Sequence, residues 1–215
     1  MAPFKPGKLL DRCKVAPPSG SITTAFINLP LTFFDMHSLP LPPLEFLFFY
    51  DFLHPIPEFT HSILPRLINS LSSTLIHFYP FSGNLSKPHE PNQPMIRCTE
   101  GDSVSYTVAE SDADFYHLFS NNLKDATESH PLLPQLPVSG SIIPLLAIQV
   151  TVFPNTGICV GITFQHSICN ARAFTHFMKT WASISKFEAT SLSPEPLPFL
   201  DRTMIRRTSA LQSDT

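Results

Sequence analysis

Charge is the first thing this sequence has little of. Only 14% of its 215 residues are Asp, Glu, Lys or Arg, and the formal net charge is −3. So thin and slightly acidic a balance offers no basic surface to nucleic acid or to an anionic membrane. Glycine is scarce at 7 residues, and tryptophan is nearly absent at one. Cys13, Cys98, Cys159 and Cys169 make no CxxC, and the histidines form no zinc-ligand spacing with them, so no metal site is expected. There is no run of eighteen apolar residues, and the opening MAPFKPGKLLDRCKV lacks the apolar centre of a signal peptide. These absences lead to the expectation of a reduced, soluble, cytoplasmic protein with no nucleic-acid or membrane partner.

Proline and phenylalanine are what the chain has in quantity. Its 23 prolines are near twice the usual share of about 5%, and their scatter indicates many stiff surface connections, not a disordered tract. With 19 phenylalanines and 43% hydrophobic residues, a chain of this length can build one large domain or two small ones around a real core.

Residues 9–16 read as a first strand, stopped by Pro17 and Pro18. Residues 23–29 read as a second, followed by a loop carrying Thr32, Phe33, Phe34 and Asp35, and residues 44–52 as a buried strand. Seven aromatic residues lie between Phe33 and Phe52. Exposing them would forfeit roughly 1.5–3 kcal/mol each, so this segment is expected to be internal. Phe59, Ile63, Leu67, Leu71, Leu75 and Phe78 recur at helical steps, with Pro65 marking either a start near Leu64 or a kink. Val104, Tyr106 and Val108 alternate with polar residues as a half-exposed strand. Ser111, followed by Asp112 and Asp114, opens a short helix reaching Asn121, and residues 123–141 form a long connection. Residues 145–153 and 157–165 make a hairpin across Pro154, Asn155 and Thr156, before a helix over 171–187 that buries Phe174, Phe177, Met178, Trp181 and Ile184. The expected class is α/β, a mixed sheet with flanking helices.

The chemical lead lies in residues 157–186, GICVGITFQHSICNARAFTHFMKTWASISK: a strand, a tight turn holding His166 and Asn170, then an amphipathic helix. An imidazole with an ordinary pKa near 6.5 accepts a proton from an alcohol at neutral pH. Acyl transfer from a thioester needs such a base, worth about 10²–10⁴-fold in rate. Asn170 reads as the N-cap of the following helix. Thr163 and Gln165, on the less apolar face of the strand, either orient a ligand or complete hydrogen bonds. Cys169 reads as a small buried filler and not a nucleophile. Taken alone, HxxxN leaves open both a base and an ordinary core or surface histidine.

Several blocks in order resemble one family. FQHSICNARAFTHFMKTWASI is similar to the strand–turn–helix of the plant BAHD acyltransferases, whose signature is HxxxD followed by Gly. LPLTFFDMHSL, LEFLFFYDF, LIHFYPFSGNL, GDSVSYTVAESDADF and LAIQVTVFPNTGICVGITF resemble blocks of its flavonoid and anthocyanin glucoside branch, many members of which are malonyltransferases. The resemblance implies a chloramphenicol acetyltransferase-like fold of two similar α/β domains with a channel between them. It implies acyl transfer in the cytosol from acyl-CoA, malonyl-CoA or a similar donor, to a hydroxyl of a flavonoid or phenolic glucoside. Acyl-CoA is then a co-substrate, with no bound cofactor. His166 matches the general base, and Thr32, Phe34, Asp35, His37, Ser38 and Thr163 are the expected acceptor-pocket residues.

The chain departs from the family pattern at three points. Asn170 replaces the signature Asp, which in the family pairs with an arginine of the second domain, and Ala171 replaces the Gly. Ser38 stands where the FDxxWL segment has Trp, removing an aromatic wall near the acceptor entrance. Nothing resembles DFGWG or the rest of the C-terminal domain. The expectation is therefore an N-terminal domain over 1–200, a polar tail or linker start over 201–215, and an absent C-terminal domain. The exposed half-interface would be open to a protein partner. A weakly active or inactive acyltransferase and a non-catalytic interaction module derived from one are the two readings this leaves.

Overall fold

The computed structural model describes residues 7–21, 26–86, 94–120, 125–137, 140, 142–187 and 198. The expected tail over 201–215 lies outside the described residues. In chain order the elements are β1 (Lys8–Val15), β2 (Phe26–Pro30), α1 (Phe33–Ser38), β3 (Leu44–Asp51), α2 (Ile56–Glu58), α3 (Leu64–His77), β4 (Asn84–Ser86), β5 (Met95–Thr99) and β6 (Val104–Glu110). There follow α4 (Phe115–Phe119), β7 (Ile142–Pro144), β8 (Leu146–Phe153), β9 (Gly157–Phe164) and α5 (Ala171–Phe187). Five strands form one sheet in the order β1-β6-β8-β9-β3, and four form a second in the order β2-β5-β4-β7. β6 and β8 run parallel, and the other pairings are antiparallel. The architecture is mixed α/β, as expected.

β8 and β9 form the predicted hairpin, with Asn155 at φ 58° in the turn, a left-handed conformation that Asn tolerates better than most residues. Both strands are buried at every position because the large sheet is covered on both sides. Ile148, Val150, Val160, Ile162 and Phe164 enter the main core with Leu71, Leu75, Phe177 and Trp181 of α3 and α5. Leu29, Leu85, Ile96 and Ile143 of the second sheet join the same cluster. The opposite face carries a smaller cluster of Phe115, Leu118, Leu132, Phe153 and Cys159. The sole tryptophan ties the two helices together: Trp181 Nε1 donates to the Leu67 carbonyl and to Ser70 Oγ, each at 3.1 Å.

Four expectations are corrected. The loop at Thr32 to Asp35 is the start of α1, because Thr32 and Asp35 form a reciprocal capping box that makes a one-turn helix worthwhile. The aromatic segment is not largely internal. Among the described residues β3 is the last strand of its sheet, and its Phe46 and Tyr50 keep 38% and 49% of their surface, while Phe33 of α1 keeps 78%. The α4 helix opens at Phe115 with Asp114 as its cap, accepting from the His117 amide at 2.9 Å, whereas Ser111 Oγ accepts from Ala113 one turn earlier. Residues 125–137 are more than a connection, since they lie across β8 and β9 as a strap whose role is taken up below.

Pro65 lies in the first turn of α3, which starts at Leu64, one of the two expected alternatives, and the chain before it is already helical. Residues Phe59–Ile63 form a π turn in which the Leu64 amide reaches back to the Phe59 carbonyl. The wider turn draws the preceding carbonyls away from the proline ring and leaves no amide unsatisfied at Pro65, so the chain stays helical on both sides.

Candidate active site

His166 stands where β9 gives way to α5. The Gln165 amide donates to the Leu145 carbonyl at 2.9 Å, which pins the end of β9 to the start of β8. The Gln165 carbonyl then accepts from the Ile168 amide at 3.1 Å, closing a turn with His166 and Ser167 at its centre. Ile168 is buried in the main core and anchors the far side of that turn. His166 is half-buried, and its Nδ1 is enclosed without a partner among the described residues; Ser167 Oγ is in the same condition.

Asn170 caps α5 twice over. Its Oδ1 accepts from the Ala173 amide at 2.9 Å, and its carbonyl accepts from the Phe174 amide at 3.0 Å. The cap sets the angle at which the chain leaves the His166 turn. Phe174 then stacks on Phe164 at 4.7 Å and on Phe46 at 4.8 Å, so α5 is held against β9 and β3 together. Burial pushes the Cys169 thiol up to about 12, which makes it an unreactive filler of the turn.

The topology brings α1 to the same end of the sheet. Leu44 at the start of β3 pairs with Phe164 at the end of β9, so the connection from α1 arrives two residues from His166. Leu39 and Leu44 pack against the cluster that contains Phe164 and Ile168. Within α1, Thr32 and Asp35 are engaged with one another: Thr32 donates its amide and its hydroxyl to Asp35 Oδ2, each at 2.7 Å, and Thr32 Oγ1 accepts from the Asp35 amide. Phe34, His37 and Ser38 continue the same helix, with His37 exposed and Ser38 half-buried.

Thr163 is not brought into this group. It is buried and donates its hydroxyl to the Pro134 carbonyl at 2.9 Å, on the face covered by the strap. Gln149 makes the matching contact from β8, donating to the Pro131 carbonyl at 2.7 Å and to Thr151 Oγ1 at 3.1 Å. The two polar side chains are thus the sheet's attachment to a strap whose backbone would otherwise be unsatisfied. The one sequence signal for this close approach is Gly161, a glycine inside a strand. Among the described residues there is no group of three or more His, Cys, Asp or Glu placed to hold a metal ion. No helix among them is long and apolar enough to cross a membrane.

A known structure defines the class of this fold. Vinorine synthase matches over 91% of this chain and 45% of its own, with a TM-score of 0.69 at 21% identity, so the two share the chloramphenicol acetyltransferase-like architecture. The profile of the Transferase family matches residues 12–206. The chain belongs to that family, the BAHD acyltransferases. Coumaroyl-CoA:anthocyanidin 3-O-glucoside-6''-O-coumaroyltransferase 1 of Arabidopsis thaliana is 39% identical over 208 residues, which cover 93% of this chain and 44% of that protein. Phenolic glucoside malonyltransferase 1 of Arabidopsis thaliana is 38% identical over 201 residues, covering 93% of this chain and 42% of that protein. The chain spans less than half the length of these relatives.

Proposed function

We propose that the chain provides the base-bearing half of an acyl-CoA-dependent O-acyltransferase of the cytosol. Its acceptor is a hydroxyl of a flavonoid or phenolic glucoside, and its donor is malonyl-CoA or a similar acyl-CoA. The observation that carries this reading is the placement of His166, a half-buried imidazole in a turn braced by the Gln165–Ile168 hydrogen bond on one side and the Asn170 cap on the other. Held this way, the backbone that carries the imidazole is fixed in place before the substrates arrive.

In this role His166 takes the proton of the acceptor hydroxyl as the oxygen attacks the thioester carbonyl. The tetrahedral intermediate collapses with cleavage of the C–S bond, and the proton passes from the imidazolium to the departing CoA thiolate. The exposed residues of α1 arrive at the same end of the sheet and are the natural place for the acceptor to rest. Asn170 contributes through the cap alone, with no charge to offer.

Release of free CoA from malonyl-CoA and coumaroyl-CoA, measured with a panel of phenolic and flavonoid glucosides, tests the reading. Turnover that falls by about 10²–10⁴-fold in His166→Ala, with the circular dichroism unchanged, supports it. A folded wild-type chain that releases no CoA with any acceptor, or turnover that survives in His166→Ala, sinks it.

A further inference from the structure

Gln165, His166 and Ser167 follow one another at the end of β9, and each carries polar side-chain atoms with no partner among the described residues. His166 Nδ1 and Ser167 Oγ are sealed from solvent in that condition. Gln165 is 8% exposed, and its carboxamide makes no hydrogen bond among the described residues. Polar groups buried this deeply are ordinarily paired, and an exception calls for a reason. The buried polar side chains beside it follow the rule, since Thr163 donates to the Pro134 carbonyl and Gln149 to the Pro131 carbonyl.

The strap runs along β9 in step with it. Leu132 lies over Gly161 and Pro134 over Thr163, a constant offset of 29 positions. Strand alternation makes Gln165 the next residue on that face, because Phe164 between them turns into the main core. The strap residue in step with Gln165 is Leu136, yet no hydrogen bond joins the two. The fastening therefore ends one step short of His166. Unlike the His166 Nδ1 and Ser167 Oγ atoms, the Gln165 carboxamide is not sealed, so a ligand beside the imidazole can reach it.

We infer that Gln165 is a specificity-determining residue whose carboxamide binds a hydroxyl of the acceptor's sugar, beside the hydroxyl that His166 deprotonates. A carboxamide donates through Nε2 and accepts through Oε1, and a sugar hydroxyl also does both. A thioester oxygen uses only the donor, and a malonyl carboxylate is better met by a guanidinium or an ammonium group. Either of those leaves Oε1 idle; a hydroxyl occupies both ends of the carboxamide. The choice of ligand rests on the acyl-transfer reading, whereas the unpaired carboxamide next to His166 does not.

The test uses the full chain without acyl-CoA. Phenyl β-glucoside is the ligand, and phenyl tetrahydropyranyl ether, which keeps both rings and lacks the sugar hydroxyls, is the control. The Gln165 side-chain amide resonance, assigned by its loss in Gln165→Met, is expected to shift with the glucoside and not with the ether. Gln165→Met, close in shape and unable to bond a hydroxyl, is expected to bind the glucoside about 3- to 10-fold more weakly and the ether equally. Its urea midpoint is expected to stay the same or rise, since the carboxamide has no partner in the free chain to lose. No shift of the Gln165 resonance, equal affinity of Gln165→Met for the glucoside, or a lower urea midpoint overturns the inference. The last would mean that the chain's own residues already hold the carboxamide. Because binding is read without turnover, a chain that releases no CoA while binding the glucoside through Gln165 sinks the acyl-transfer reading alone. One that turns over with the same KM for the glucoside in Gln165→Met sinks this inference alone.

Discussion

The Leu132 carbonyl sits directly over Gly161, in the space where a side chain at that position would begin. Backbone meets backbone there, with no flexible side-chain end to move aside. Gly161→Ala must therefore lift the strap from β9, and overpacking of this kind costs about 1–3 kcal/mol. Urea unfolding should register a loss in that range. Gly101→Ala is the useful comparison, because Gly101 has open space around it and suffers only from its φ of 90°.

Thr163 holds the same strap from below. Thr163→Val keeps the side chain's shape but leaves the Pro134 carbonyl without its donor, at a cost of about 1–3 kcal/mol for a buried group. The thermal midpoint should fall accordingly. An unchanged midpoint would mean that the hydroxyl does its work elsewhere, as a residue of the acceptor pocket would.

Asn170 separates two contributions that an aspartate would combine. Asn170→Ala removes the acceptor for the Ala173 amide and should cost about 1 kcal/mol. Asn170→Asp retains the acceptor and adds a negative charge at the start of α5, which is expected to stabilise by about 0.3–1 kcal/mol at low salt and less as salt is raised. Chemical denaturation of both variants at two ionic strengths checks this. A destabilised Asn170→Asp would mean that a second group near the cap repels the charge.

His77, at the end of α3, carries the expected pH dependence. Burial lowers its pKa below the usual histidine value, because the charged form loses water that the protein does not replace. The unfolded chain then binds the proton more readily than the folded one, so stability falls as pH drops through the ordinary value near 6.5 toward the lower folded one. Urea midpoints measured at pH 7.5 and pH 5.5 should differ less in His77→Gln than in the wild-type chain. An equal difference in both would assign the acid sensitivity to other groups.

Local chemistry was enough to read much of this chain from its residues. The β8–β9 hairpin follows from two apolar runs around Pro154, Asn155 and Thr156, and α5 from a helical repeat of Phe174, Phe177, Trp181 and Ile184 behind an asparagine suited to capping. The His166 turn was visible for the same reason, since it is the short break between two strongly patterned segments. The π turn before Pro65, by contrast, depends on how the backbone distributes one missing amide, and composition alone leaves that choice open.

What only the tertiary structure decided is which surfaces meet. Seven aromatics in one stretch promise burial, yet burial needs a neighbour on each side, and among the described residues β3 has a neighbour strand on one side only. Thr163 looks like a ligand-facing group beside an apolar strand until the strap is placed over it; then its hydrogen bond to Pro134, matched by that of Gln149 to Pro131, makes it a fastener. Sequence carries the periodicity that turns a segment into a strand or a helix, because that depends on near neighbours. It does not carry the pairing of residues 29 positions apart, as between Pro134 and Thr163, because the contact exists only once the sheet and the strap have both formed.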